Sequence, residues 1–335
     1  MPVPQQIECI APRLLGPVPG TLADALSDGG PYPQLEWLVA HARREPAAGV
    51  DTETLLASVH PSLPAPGPLV AAGQGLPLSG YGYRAAPVHL RPDRDRLLLF
   101  AGPEFEPLPE ESTQLVDAFN HTFGADGLTL WSNGRDWLLL VDEPPGPDLP
   151  ALAQVAGYYL DTVLPDEAAF RRWRQLLNEM QMFLHDHPVN QQREARGEVA
   201  INGLWFWGGG PSAAPSQLAS DRVVGDDALS QGLAALGGTA LEGIDTDLDA
   251  DNGEITLIWT DAEAALVAGD AAGWMAAVER FEALIAPRLV KAAQAGRTRI
   301  NLYSGNSERL SVGPWAHWHF WRRRYPLSRQ VTRRG

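Results

Sequence analysis

The sequence predicts an α/β protein: a main domain of strands separated by helices, interrupted by a small α+β domain. Three observations predict it. Short apolar runs of strand length at 7–10, 255–259 and 300–303 stand apart from helical patterns, the alternation of a parallel sheet covered by helices. Residues 81–165 have a different texture: two strands, a helix, two strands and a second helix. At 335 residues the chain is also long enough for two cores. The expected division is 1–80 with 166–335 for the main domain and 81–165 for the insertion.

The first run, Ile7 to Ile10, is closed by Pro12. Leu35, Leu38, Val39 and Ala42 have helical spacing through Arg44, and the proline- and glycine-rich residues 61–79 read as loop. In the insertion, 87–90 and 97–100 are strands around the turn Pro92-Asp93-Arg94-Asp95. A helix spans 110–123, a hairpin at 128–131 and 137–141 turns on Asn133-Gly134, and a helix follows at 149–156. Phe170, Trp173, Leu177, Met180 and Leu184 alternate steps of three and four, one stripe of a helix with Asp166 as N-cap and Pro188 as terminator. A short helix at 228–236 ends at Gly237-Gly238, and an amphipathic helix fills 272–293. Trp315, Trp318, Phe320 and Trp321 are expected to cover apolar surface.

Composition excludes several classes. No run reaches the roughly 18 apolar residues of a membrane span, and the amino terminus lacks a basic-then-apolar leader. Cys9 alone excludes an internal disulfide and fits a reducing, cytoplasmic compartment. Lys291 is the sole lysine, and GxSxG, HExxH, GxGxxG and GK[ST] motifs do not occur. The net charge of −15 argues against general nucleic-acid binding. The 322–334 tail, with Arg322, Arg323, Arg324, Arg329, Arg333 and Arg334, is the local exception: a solvated terminus, or a docking element for a protein or nucleic-acid partner.

The chemistry concentrates after the helical stripe. His187, Asn190, Arg193, Arg196 and Asn202 lead into Trp205, Trp207 and the triple glycine Gly208, Gly209 and Gly210. Arginines with backbone N–H groups, and glycines that admit close approach, suit a phosphate or carboxylate ligand. The same residues could instead serve structure, with Asn190 and Arg193 bonding loop carbonyls and the glycines packing on Trp205 and Trp207. Rival metal sites are weaker. His185 and His187 diverge at a helix end, and His317 and His319 sit among tryptophans. The run Asp245, Asp247, Asp249 and Asp251 has Asn252 and Ile258 where a calcium loop starting at Asp247 needs glycine and glutamate.

The string HPVNxxRxxxGxxxIN followed by WxWGGG resembles the archaeal-type cofactor-independent phosphoglycerate mutases and their bacterial relatives, members of the alkaline phosphatase superfamily. The resemblance extends to the segment from Gly243 and to Ala268-Gly269-Asp270 before a long helix. It implies an alkaline phosphatase-like core around the small domain, and a serine or threonine nucleophile between two divalent ions (manganese, zinc or magnesium). Against that pattern, Ile10-Ala11-Pro12 stands for an Asp-Gly metal motif, no serine lies in 66–75, and Val267 replaces a metal histidine. Ser304-Gly305 replaces an Asp-His pair, and Trp274 replaces a lysine. The expectation is a mutase-like protein without its metals or cofactor, non-catalytic or repurposed, holding a phosphorylated or carboxylated small molecule in a regulatory role. An active mutase and a scaffold acting through the arginine-rich tail are the alternatives.

Overall fold

The computed structural model of the chain describes residues 5–26, 31–94, 96–164, 168–213, 220–248, 253–318 and 321–333. Contacts divide it into two compact units: Met1–Leu63 with Pro215–Leu266 and Asp270–Gly335, and Pro64–Ala214 with Val267–Gly269. The described strands are β1 (Gln5–Ile10), β2 (Arg43–Pro46), β3 (Tyr81–Asp93), β4 (Arg96–Phe100), β5 (Leu128–Ser132), β6 (Trp137–Val141), β7 (Gly203–Pro211), β8 (Arg222–Val224), β9 (Ala240–Glu242), β10 (Glu254–Ile258), β11 (Thr298–Tyr303) and β12 (Glu308–Val312).

The first unit holds a sheet of order β2-β12-β11-β1-β10-β8-β9. β11, β1, β10, β8 and β9 are parallel, and β12 and β2 add an antiparallel edge. Strand side chains alternate between faces. Ile7, Cys9, Ile255, Leu257, Ile300 and Leu302 share one core with Leu35 and Leu38 of the Pro33–His41 helix and with Trp274, Phe281, Ile285 and Leu289. Those last four come from one continuous helical stretch, Ala271–Arg280, Phe281–Ile285 and Ala286–Gln294. Its middle segment widens to π geometry just before Pro287, whose ring nitrogen has no N–H to give the ladder. The alternate strand positions are polar and buried. Asn301 donates to Glu8 at 2.7 Å, and Thr256 lies opposite Glu8, 2.9 Å from the His60 imidazole and 2.5 Å from the Ser220 hydroxyl.

Several expectations change here. The helix through Arg44 ends at His41, because Arg43 and Arg44 turn into β2 and pair with β12. The described part of the tail, residues 322–333, is docked onto its own unit. Arg322 donates to the carbonyls of Ala40 and Ala42, Leu327 N–H to Glu36, Thr332 N–H to Leu15 and Arg333 to Asp24. Trp315, Trp318 and Trp321 do not cover apolar surface. The helices already fill the apolar face of the sheet, and the three indoles are 67%, 61% and 65% exposed. Phe320 lies outside the described residues.

The second unit holds an antiparallel five-stranded sheet of order β4-β3-β6-β5, with β7 on the other side of β3. The β5–β6 hairpin turns where Asn133 Oδ1 accepts from the N–H groups of Arg135 and Asp136, a side-chain closed turn. This unit is wider than 81–165. β7 pairs with β3 from Tyr81 opposite Pro211 to Val88 opposite Gly203, which binds the later segment into this sheet. Trp173, Leu177, Met180 and Leu184 of the Arg171–His185 helix enter its core. Residues 66–73, read as loop, form a helix seated on β3 and β7, where Gly67 lies against the Gly82 carbonyl. The 149–156 helix shrinks to Leu152–Val155. The long helix stops at His185, ahead of Pro188 as expected, with the residue before the proline, His187, extended; Pro188 is also the first residue of a second helix, Pro188–Ala195, where its missing N–H costs nothing. Asp166 lies outside the described residues. No described helix is long and apolar enough to cross a membrane.

Cys9 is fully buried in the first unit, and burial, with the neighbouring Glu8 carboxylate, pushes its thiol far above the ordinary range. A thiol reagent should therefore leave the native protein unmodified and label one group per chain only after denaturation. Fast labelling of native protein would contradict this packing.

Candidate functional site

Every residue of the 187–210 motif is anchored in the second unit. His187 caps the Pro188–Ala195 helix, its Nδ1 accepting from Val189 N–H at 3.2 Å, and burial lowers its pKa. Asn190, 3% exposed, donates to the carbonyls of Leu184 and Ile201 at 2.8 and 2.7 Å and accepts from Ile201 N–H at 2.8 Å. Asn202 exchanges two hydrogen bonds with the Leu90 backbone. Arg193, also 3% exposed, donates to the Val199 and Glu104 carbonyls and to the Glu111 carboxylate at 2.9 Å. Arg196 donates to the other Glu111 oxygen and to Glu198.

The anion held by this motif is therefore the chain's own. Burial alone would raise Glu111, but Leu108 N–H, Arg196 and Arg193 outweigh it and hold the carboxyl below its usual range. The glycines repeat the arrangement. Gly209 N–H donates to Asp148 Oδ1 at 3.1 Å, and burial raises Asp148 despite the N–H groups of Gly209, Leu149 and Gly208. The triple glycine packs on other partners than Trp205 and Trp207: a Cβ on Gly208 would meet Pro66, one on Gly209 would lie 1.9 Å from the Tyr83 ring, and one on Gly210 would meet Ala65.

The rival clusters do not assemble. His185 and Asp186 are 4.0 Å apart, with both side chains more than four-fifths exposed. Asp247 pairs with Lys291 at 3.5 Å, while Asp249, Asp251, His319 and the His317 side chain lie outside the described residues. Among the described residues no group of three or more His, Cys, Asp or Glu is gathered.

The first unit offers a second location, since open parallel sheets bind ligands beyond the carboxyl ends of their strands. The loop after β1 runs through Ala11 and Pro12 to Arg13, which is 8% exposed and has φ 64. Arg13 N–H donates to the Ser304 carbonyl after β11, and its own carbonyl accepts from Trp274 Nε1 at 2.9 Å. Gly305, at φ 74, fits against the Val50 carbonyl and Arg13 nitrogen. Asp51 caps the Thr52–Val59 helix, a capping box with Thr54 that the sequence D-T-E-T carries and that was not read there. Thr52 donates its N–H and hydroxyl to Glu263 at 3.1 and 2.5 Å. Burial, with repulsion from Asp51 and Glu53, raises Glu263 to about 7 against the two Thr52 hydrogen bonds. Asp227 is likewise spent as a helix cap, and Asp261 on Arg280.

No family model matches the chain. A protein of Geobacter sulfurreducens named "Probable 2,3-bisphosphoglycerate-independent phosphoglycerate mutase" is 27% identical over 156 residues, 43% of this chain and 37% of that protein. Over that stretch the chain is similar to a probable 2,3-bisphosphoglycerate-independent phosphoglycerate mutase. The alignment spans little more than a third of that mutase's length. The fold agrees: the PH0037 protein of Pyrococcus horikoshii superposes with a TM-score of 0.55 at 16% identity, over 93% of this chain and 88% of its own. A cofactor-independent phosphoglycerate mutase of Thermoplasma acidophilum gives 0.40 at 18% identity, over 93% and 89%. The mixed α/β architecture that the sequence predicts is shared with the Pyrococcus protein.

The 66–75 stretch expected to carry the nucleophile is mainly a helix, Pro66–Gly73, of the second unit. Trp274, standing for the expected lysine, does reach the loop after β1.

Two predictions follow from these contacts. Gly209→Ala drives a Cβ into Tyr83, itself buried and edge-on to Trp173, and should cost about 1–3 kcal/mol in urea unfolding, whereas Gly124→Ala, with open space around it, should be near neutral. Glu263 has a raised pKa, so its contribution to stability is full below the unfolded value of about 4.3 and is lost as pH rises through about 7. Glu263→Gln should flatten the urea midpoint across that window; an unchanged slope would remove Glu263 as its source.

Proposed function

We propose that this chain is a phosphoglycerate mutase-like protein that no longer works through a two-metal site and has been repurposed, with a phosphorylated or carboxylated small molecule as its ligand in a regulatory role. The observation that carries this is Arg13. Its backbone is locked to Ser304 and Trp274 in the loop after β1. The family pattern has a metal-binding Asp-Gly at this loop, and Ile10-Ala11-Pro12-Arg13 puts no carboxylate there and an arginine beside it. The remaining carboxylates of the edge do not fit a metal pair either: Asp51 and Asp227 cap helices, Asp261 faces Arg280, and Glu263 is bonded to Thr52.

For the 187–210 motif, the occupancy of Arg193, Arg196 and Gly209 by Glu111 and Asp148 supports the structural role over ligand binding. The anion-binding role then falls to the edge at Arg13. A cytoplasmic location belongs to the same proposal. The name of the Geobacter relative favours the alternative, an active mutase with metal ligands of another kind.

A coupled assay for conversion of 3-phosphoglycerate to 2-phosphoglycerate tests the choice, using stripped protein supplied with manganese, zinc or magnesium. The expected result is no turnover above the blank with any of the three, and a melting temperature raised by a phosphorylated or carboxylated ligand in the native chain but not in Arg13→Ala. Metal-dependent turnover would establish the alternative.

A further inference from the structure

The Thr52–Val59 helix of the first unit has eight residues, too few to hold together in water on its own, and it buries only Thr52, Leu55 and Leu56. It lies against β1, and other elements fasten it at its two ends. At its start, Thr52 gives both its N–H and its hydroxyl to Glu263 of the Asp261–Val267 helix, at 3.1 and 2.5 Å. At its finish, the C-cap His60, 4% exposed, places Nε2 2.9 Å from the Thr256 hydroxyl of β10 and 3.5 Å from the Ser220 hydroxyl. One fastening is a carboxyl and the other an imidazole. Taking up a proton discharges the first and charges the second, so the same proton activity acts on the two ends in opposite directions.

We infer that this helix is a proton-operated rocker: rising pH releases its first turn from Glu263 and tightens its last turn on Thr256, and falling pH does the reverse. Groups held away from water favour their neutral forms, protonated for a carboxyl and unprotonated for an imidazole. Glu263 faces Asp51 and Glu53 of the helix; burial first, then these two carboxylates, raise it to about 7 against the bonds from Thr52. His60 faces Glu8 of β1, which favours the charged ring, but burial outweighs it and lowers the imidazole. The folded value of Glu263 exceeds the open one of about 4.3, so its hold is full below that and is lost as pH rises towards 7. The folded value of His60 lies below the open one of about 6.5, so its hold is full above that and is lost as pH falls. The two dependences overlap with opposite slopes across roughly pH 5–6.5. Val50, just ahead of the helix, has its carbonyl against Gly305 beside the Arg13 nitrogen, so release of the first turn also loosens the loop where the anion is proposed to bind. That consequence rests on the anion reading; the rocker does not.

Residue-resolved hydrogen exchange of the full chain at about pH 5, 6 and 7, with the intrinsic pH dependence divided out, reads the two ends separately. Protection of the Thr52 amide, which is bonded to Glu263, should fall about tenfold or more from pH 5 to 7. Protection of the His60 amide, bonded to the Leu56 carbonyl, should rise over the same range. Glu263→Gln, which keeps an acceptor for Thr52, should flatten the first trend alone, and His60→Gln the second alone. Ends that move together, protection that ignores pH, or trends that survive both substitutions would overturn the rocker. Inorganic sulfate, whose charge is constant over this range, probes the loop in the same samples: its affinity should fall with rising pH in the native chain and stay level in Glu263→Gln. Sulfate that binds at no pH would remove the anion reading, while the exchange pattern alone decides the rocker.

Discussion

A buried carboxylate organises the second unit. Glu111 sits at the start of the Pro109–Phe123 helix, 3% exposed, and would be costly there without partners. Arg193, Arg196 and Leu108 N–H supply them, joining that helix to the Pro188–Ala195 helix and, through Arg193, to the carbonyls of Glu104 and Val199. Removing one partner of such a pair costs about 3–5 kcal/mol, because the other charge is left buried. The triple glycine follows the same logic on a smaller scale, since Gly209 leaves room for Tyr83 while its N–H meets Asp148. A motif made of arginines, asparagines and glycines is suited to holding an anion, and here the anions are two carboxylates of the chain itself.

The first unit depends on a different constraint. Its central strands are apolar on one face and polar on the other, where Glu8, Thr256 and Asn301 form a buried line met by His60 and Ser220. Buried parallel strands usually carry apolar residues on both faces; here Asn301 donates to Glu8 Oε1, and Glu8 Oε2 is buried without a hydrogen-bond partner among the described residues. At the carboxyl ends of the same strands, Arg13, Trp274, Ser304 and Gly305 lock three segments together through backbone contacts. The proposed departure from the mutases lies in the residues that fill these strand ends.

The sequence carried local information faithfully. β1, β10, β11, the β5–β6 hairpin and the long helical stretch were legible because their apolar spacing and the Asn-Gly turn are determined within a few residues. The affinity of the 187–210 segment for an anion was legible in residue type. Its occupant was not, because Glu111 lies 82 residues from Arg193 and only tertiary folding joins them. Pro188 was ambiguous in the same way: a proline that can end one helix can equally begin the next. The true extent of the second unit depended on β7 pairing with β3, a long-range choice invisible to periodicity. The exposed indoles depended on which surface was already covered.

The most direct test is a double-mutant cycle on Glu111→Ala and Arg193→Ala, read from urea unfolding with and without saturating 3-phosphoglycerate. The account predicts a coupling of about 3 kcal/mol or more that the ligand leaves unchanged, because the pair is closed on itself. A weak coupling, or one that collapses when 3-phosphoglycerate is added, would mean that Arg193 serves a ligand and that the internal clamp is not its role.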